Sequence, residues 1–260
     1  MKFVDKIKSF GRKAALAASI ALPFVSGGVS AEDSANKGFI RGGSLNSTWK
    51  SQYIGTRSGT VFAKGNMGVL QNTLDVNTKY GTVECWQNLN LEDGKTCEVD
   101  LGYYSPSLKF GKFEFSGAFF GFVYPDFDRA GWDFESDVTA AYHGPVDVSL
   151  TGCVAYPRDM SPGAVGKLTV GKSFSLGKDR SNIPMIRDSK LTLEGSLVYK
   201  HEYFDSDRGF SHYDLTGKLE IPVTKRFTIS PGVMYHGVAD SFGGKIKEAW
   251  VPFVGGTWKW

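Results

Sequence analysis

Ser211-His212-Tyr213-Asp214 is the stretch of this 260-residue chain whose side chains come nearest to a reactive constellation. A serine hydroxyl activated by an imidazole, itself oriented by a carboxylate, is the arrangement of acyl transfer and hydrolysis. On an extended strand, successive side chains point to opposite faces, so His212 and Asp214 share a face and Ser211 turns away. The other histidines are His143, His201 and His236, and no His-X-Ser is followed by Asn-Gly. A lipid hydrolase or acyltransferase is therefore the weaker alternative, and no catalytic residue is assigned. Neither metal-ligand spacing nor a glycine-rich phosphate loop is read, so no metal and no cofactor is expected.

A larger set of ionisable residues falls opposite the apolar parity of the strands described below. Its acidic members are Glu98, Asp100, Glu114, Asp133, Glu135, Asp137 and Asp214, and its basic members are Lys200, Lys218 and Arg226. If these groups line a closed interior, opposite charges can cross-pair and fill it. Alternatively, the acidic excess between residues 98 and 137 lines a water-filled passage that favours cations or sugars.

The elements that position these groups are strands. Glycine is high at 32 residues and aromatics reach 14%, with no sustained helical periodicity after the first thirty residues. Residues 211–223 alternate cleanly: Tyr213, Leu215, Leu219, Ile221 and Val223 oppose His212, Asp214, Thr216, Lys218 and Glu220. Residues 131–142 and 191–203 repeat the pattern. Such runs exceed the usual ~5–6 residues of soluble strands and match the roughly 9–11 needed to cross a hydrocarbon layer. Turn signals such as Asp93-Gly94, Gly144-Pro145 and Gly243-Gly244 divide the chain into strands near 46–55, 67–77, 82–92, 96–105, 112–124, 131–142, 146–156, 164–176, 190–203, 211–222, 226–237 and 246–260. An even number lets both chain ends lie on one side and lets the first and last strands pair, which removes open edges. The long connection 177–189 is the exception among otherwise short turns on the side of the termini.

The two ends of the chain support this reading. Met1 to Lys13 carries five basic residues against Asp5, then an apolar run from Ala14 to Val25 leads to Ser26-Gly-Gly-Val-Ser-Ala. That is the form of a secretory signal peptide over 1–31, with export through the Sec pathway. Of 30 basic and 27 acidic residues, five and one belong to this leader, which leaves 25 against 26. Without a basic excess, nucleic acid is not an expected partner. Trp258 and Trp260 end the last strand, which is expected to close against 46–55 and to serve as the signal for the barrel-assembly machinery. Cys85 and Cys97 flank Asp93-Gly94 out of register, so they would bond only if the hairpin were irregular.

Aromatics with a polar edge favour membrane interfaces. Trp49, Tyr103, Tyr124, Trp132, Tyr142, Tyr156, Tyr199, Tyr203 and Trp250 are expected there, at strand ends or on the lipid face. Tyr124-Pro125-Asp126-Phe127 and the loop 204–210 are the places where carbohydrate stacking would be sought.

Four segments carry a family resemblance: Ser51-Gln-Tyr-Ile, Tyr80-Gly-Thr-Val-Glu-Cys-Trp-Gln-Asn-Leu, Cys97-Glu-Val-Asp-Leu-Gly-Tyr-Tyr and Gly121-Phe-Val-Tyr-Pro. Together they resemble the Gcw_chp family of uncharacterised bacterial proteins, with Trp86, Asn88, Glu98, Val99, Asp100, Tyr124 and Pro125 in the family's places. The usual arginine-glycine pair after Tyr53 is replaced by Ile54-Gly55-Thr56-Arg57. The resemblance implies no activity.

The sequence thus predicts an all-β chain: a single antiparallel transmembrane β-barrel of about twelve strands over 32–260, in a Gram-negative outer membrane. Its expected partners are outer-membrane lipid, lipopolysaccharide and small polar solutes. A passive porin-like channel or a structural envelope protein fits these features.

Overall fold

The computed structural model describes residues 39–55, 57–58, 61–63, 67–125, 132–158, 160–177, 188–203, 208–239 and 247–260. The expected leader 1–31 lies outside the described residues, as does most of the 177–189 connection. The described strands are β1 (Ile40–Lys50), β2 (Tyr53–Ile54), β3 (Val61–Ala63), β4 (Val69–Thr78), β5 (Gly81–Asn90), β6 (Thr96–Tyr104), β7 (Leu108–Phe110) and β8 (Phe113–Val123). They continue with β9 (Asp133–His143), β10 (Asp147–Tyr156), β11 (Gly163–Ser175), β12 (Lys190–His201), β13 (Arg208–Pro222), β14 (Phe227–Val238) and β15 (Ala249–Lys259).

Twelve of these strands form one closed antiparallel barrel. Sequential neighbours pair from β8 to β15. β6 joins β8 across the short β7 excursion, and β1 pairs with β4 on one side and β15 on the other. Three short strands stand apart: β2 and β3 form a hairpin of their own, and β7 extends β8 near the end that carries the termini.

Eleven barrel strands lie within three residues of their expected bounds. The exception is the first, which spans 40–50 rather than 46–55. Gly42, Gly43, Ser44 and Ser47 blur the alternation there, and the chain leaves the wall after Lys50.

Burial is inverted relative to a soluble protein. Val138 and Trp250 on the outer face are 68% and 66% exposed, whereas Asn88 and Glu135 on the inner face are fully buried. Leu101, Phe115, Phe134, Leu150, Leu168, Leu193 and Leu215 continue the exposed apolar belt around the barrel. In water a belt of this extent would drive association, but against hydrocarbon it is the favoured surface. Trp49, Tyr103, Tyr156, Tyr199 and Trp250 are exposed as the interface reading expects.

Closure is made by β1 and β15 in the register Leu45↔Trp258 and Trp49↔Val254. Beyond the last paired residue, Gly43 N–H donates to the Trp260 carbonyl and Trp260 N–H to the Gly43 carbonyl, both at 3.2 Å. The closing partner is thus 44–50, not 46–55. The indole of Trp260 lies so close to Gly43 that a Cβ there would meet the ring at 2.5 Å and the Asp75 carbonyl at 2.3 Å. On the neighbouring hairpin Cys85 faces Leu101, four residues from Cys97, and Cys85, Cys97 and Cys153 are all free thiols.

Gly43→Ala is therefore expected to destabilise the closed barrel by about 1–3 kcal/mol through overpacking. Gly152→Ala, where a Cβ meets nothing within 4 Å, is the matched control. Urea midpoints of the refolded variants, read with the heat-modifiable gel band, check this: equal midpoints would contradict the seam geometry.

Candidate functional site: an acidic lumen bridged by the first loop

After Lys50 the chain turns into the barrel instead of continuing the wall. Tyr53 and Ile54 of β2 are buried. The Tyr53 ring lies 5.7 Å from that of Trp86, which points inward from β5, and its hydroxyl donates to the Glu98 carboxylate of β6. Four residues on, Arg57 crosses to the other wall. Its guanidinium donates to Asp137 at 2.5 Å, pairs with Glu135, and stands 5.4 Å above the Phe120 ring of β8.

The packing follows from charge. Glu135, Asp137 and Asp133 alternate down the inner face of β9 and are all buried, where an unpaired carboxylate is costly. Arginine can serve two carboxylates and an aromatic face at once, because its guanidinium is planar and weakly hydrated. Tyr203, just past β12, donates to the second oxygen of Glu135 at 2.7 Å. The backbone N–H of Arg158 donates to Asp133 at 2.8 Å. Cys153, Ala155, Val165, Val198 and Tyr203 form an apolar cluster beside these acids. At the rim, Arg208 donates to Glu202 at 2.5 Å, and this charged hydrogen bond holds the Glu202 carboxyl below its ordinary range.

Most expected lumen residues are where alternation placed them. Glu98, Asp133, Glu135, Asp137, Lys200 and Asp214 are buried inside, and Asp100 lies partly buried on the wall of Glu98. All sit in the half of the barrel away from the termini. Glu114 and Lys218 lie in the opposite half, where Glu114 pairs with Lys109 at 3.3 Å and Lys218 with Glu220 at 2.8 Å. Arg226 is not a lumen residue: it is exposed in the turn 223–226, whose Thr224 hydroxyl accepts its N–H. Tyr203 and Tyr124 also depart from expectation. Tyr203 turns into the lumen rather than an interface girdle, and Tyr124 reaches the Glu98 carboxylate.

Ser211 is a further correction. Val198 pairs with His212 and Tyr199 with Phe210, which leaves Ser211 as the extra residue of a β-bulge. The bulge resets the alternation, and Ser211 becomes buried with its hydroxyl 2.9 Å from His212 Nδ1. The carboxylate that a hydrolase would need behind His212 is engaged with another ring: Asp214 Oδ1 accepts from His236 Nδ1 at 2.6 Å.

Sequence reasoning missed Arg57 and Tyr53 as site residues: Arg57 follows the expected first strand, and Tyr53, expected within it, lies in a two-residue strand past the end of the wall strand at Lys50. Tyr53 packs on Trp86 and bonds Glu98, Tyr124 reaches Glu98, and Asn88 accepts from Gln71 at 3.3 Å.

A closed barrel with an apolar exterior, a charged interior and a loop folded into its lumen defines a transmembrane β-barrel of the outer-membrane type. Among solved structures, the chain is similar to the NanC porin, with a TM-score of 0.53 and 10% identity over 84% of this chain and 100% of that one. It is likewise similar to the KdgM porin, with a TM-score of 0.51 and 12% identity over 84% and 99%. A second KdgM structure, described as a complex with disordered oligogalacturonate, gives 0.53 at the same identity and coverage. At these identities the likeness establishes the fold. No family model and no curated protein matches the chain.

Tyr53→Phe keeps the ring on Trp86 but removes the donor to Glu98. The expected cost is about 1–3 kcal/mol, that of a buried acceptor left short of a partner. Hydrogen exchange over residues 51–58 should accelerate while the barrel strands stay protected. Unchanged exchange in this segment would show that the Glu98 contact does not hold the loop.

Proposed function

We propose that the barrel is a passive channel for small polar solutes, that it favours cations, and that the docked first loop sets its narrowest section. The observation that carries this reading is the ion-paired crossing of the lumen by Arg57 onto Glu135 and Asp137. A loop folded inward to face a charged wall gives a constriction with a transverse field, which sorts solutes by size and charge. The buried acids Glu98, Asp133, Glu135 and Asp137 outnumber the basic groups Arg57 and Lys200 around this section, while Asp214 stands near Lys50, as does Lys167. The excess favours cations over anions.

The fold likeness to two proteins described as porins supports a conducting role. KdgM is described in complex with an oligogalacturonate, an acidic sugar. The acid-rich lumen of this chain argues instead for neutral or cationic solutes. No catalytic step is assigned to the interior. Export through the Sec pathway, assembly by the barrel-insertion machinery, contact with lipopolysaccharide and membership of the Gcw_chp family belong to the same proposal. A structural envelope protein is the second reading, favoured by how fully Glu135, Lys200 and Tyr203 fill their side of the lumen.

Planar-bilayer recording of the refolded protein under a potassium chloride gradient distinguishes these outcomes. The channel reading predicts discrete conductance steps and a reversal potential of the sign set by cation preference. Asp137→Asn, which removes a carboxylate that faces Arg57 at the constriction, should move that potential toward zero. Silence over many insertions would favour the structural reading, and anion preference would overturn the assigned charge selectivity.

A further inference from the structure

We propose that His212 and His236, the second ring oriented by Asp214, form a lumen site for one late first-row divalent cation, for which Zn2+ is the natural probe. The inference rests on the barrel fold and its register, and it holds whether or not the lumen conducts.

The site is assembled by strand pairing. β13 and β14 run antiparallel with Asp214 directly opposite His236, and His212 precedes Asp214 by two residues on the same inner face. All three are buried, both imidazoles completely. The ring centroids of His212 and His236 are 4.8 Å apart, and one donor atom from each of the three residues lies within 4.8 Å of the others.

The second observation is a lone pair without a partner. Asp214 Oδ1 stands 2.6 Å from His236 Nδ1, and a carboxylate accepts, so Nδ1 carries the proton and Nε2 the lone pair. That Nε2 is buried and makes no hydrogen bond. A buried acceptor left this way is unfavourable, and it is the state of an imidazole prepared for a metal. Histidine ligands commonly give their other nitrogen to a carboxylate, which fixes the tautomer and raises basicity. His212 is steered in a similar way, by the Ser211 hydroxyl that the bulge brings to its Nδ1 at 2.9 Å.

Two imidazoles suit Zn2+, Ni2+ or Cu2+ rather than Ca2+ or Mg2+, which take sets of oxygen ligands. Two protein groups leave coordination positions for water or a passing solute. The other group of comparable donors among the described residues, Glu135, Asp137 and Cys153, is already served by a cation, the Arg57 guanidinium. The spacing rules expected no metal because His236 lies 22 residues from Asp214 and becomes its neighbour only through the β13–β14 register.

The test is isothermal titration of ZnCl2 into untagged, chelator-stripped, refolded barrel near pH 7.5, with Co2+ absorption as a second readout. One Zn2+ per barrel is expected. Asp214→Asn should weaken binding about 10–100-fold, the usual effect of losing a carboxylate that orients a ligand. His212→Gln and His236→Gln should each abolish it, while His143→Ala, in the opposite half, should leave it unchanged. Heat-modifiability reports whether each variant still folds. Should a Gln variant not fold, the Co2+ spectrum of the unsubstituted barrel decides: imidazole-bound Co2+ of low coordination supports the site, and the spectrum of the hydrated ion overturns it. Zn2+ binding that survives in folded His236→Gln, or equal binding of Mg2+, also overturns it.

Discussion

A sheet in hydrocarbon cannot leave backbone N–H and C=O groups unpaired, since no water is present to satisfy them. Every other feature of this chain answers to that constraint. The twelve strands must form a ring, so β1 must meet β15, and Gly43 must lack a side chain for Trp260 to lie against the seam. Closure then assigns a medium to each face. The outer parity carries Leu101, Leu150, Leu193 and Trp250, and the inner parity carries the charges.

The interior poses the complementary problem. Carboxylates at 133, 135 and 137 on one strand repel one another and are buried, so they require counter-charge and donors from elsewhere. Arg57 arrives on a loop that has left the wall, and Tyr203 and the Arg158 N–H arrive from the other loops at the same end. Polar groups that would destabilise an isolated sheet thus define where the loops must go. The half of the barrel near the termini is held differently, by local ion pairs such as Glu114 with Lys109 and Lys218 with Glu220.

The barrel was legible in the sequence because a transmembrane strand states both faces in its alternation. For β9, Asp133, Glu135 and Asp137 against Phe134 and Val138 fixes orientation without any partner. The same rule failed where its premise failed. Gly42 and Gly43 hide the start of β1, and the bulge at Ser211 shifts parity with no local sequence signal. Arg226 has the right parity but lies in a turn. Arg57 was not legible, because a loop's destination depends on what charge awaits it across the lumen. His236 stood between the two cases. Its inward parity was readable, but its meeting with Asp214 required the register of two strands.

The docking of the first loop inside the closed barrel is tested most directly by a double-mutant cycle between Arg57→Ala and Asp137→Ala, read by urea unfolding of the refolded protein. Direct contact across the lumen predicts a coupling energy of about 0.5–3 kcal/mol, because each single substitution already removes the same pair. Additivity within about 0.3–0.5 kcal/mol would place Arg57 away from the acidic wall and contradict the docked loop.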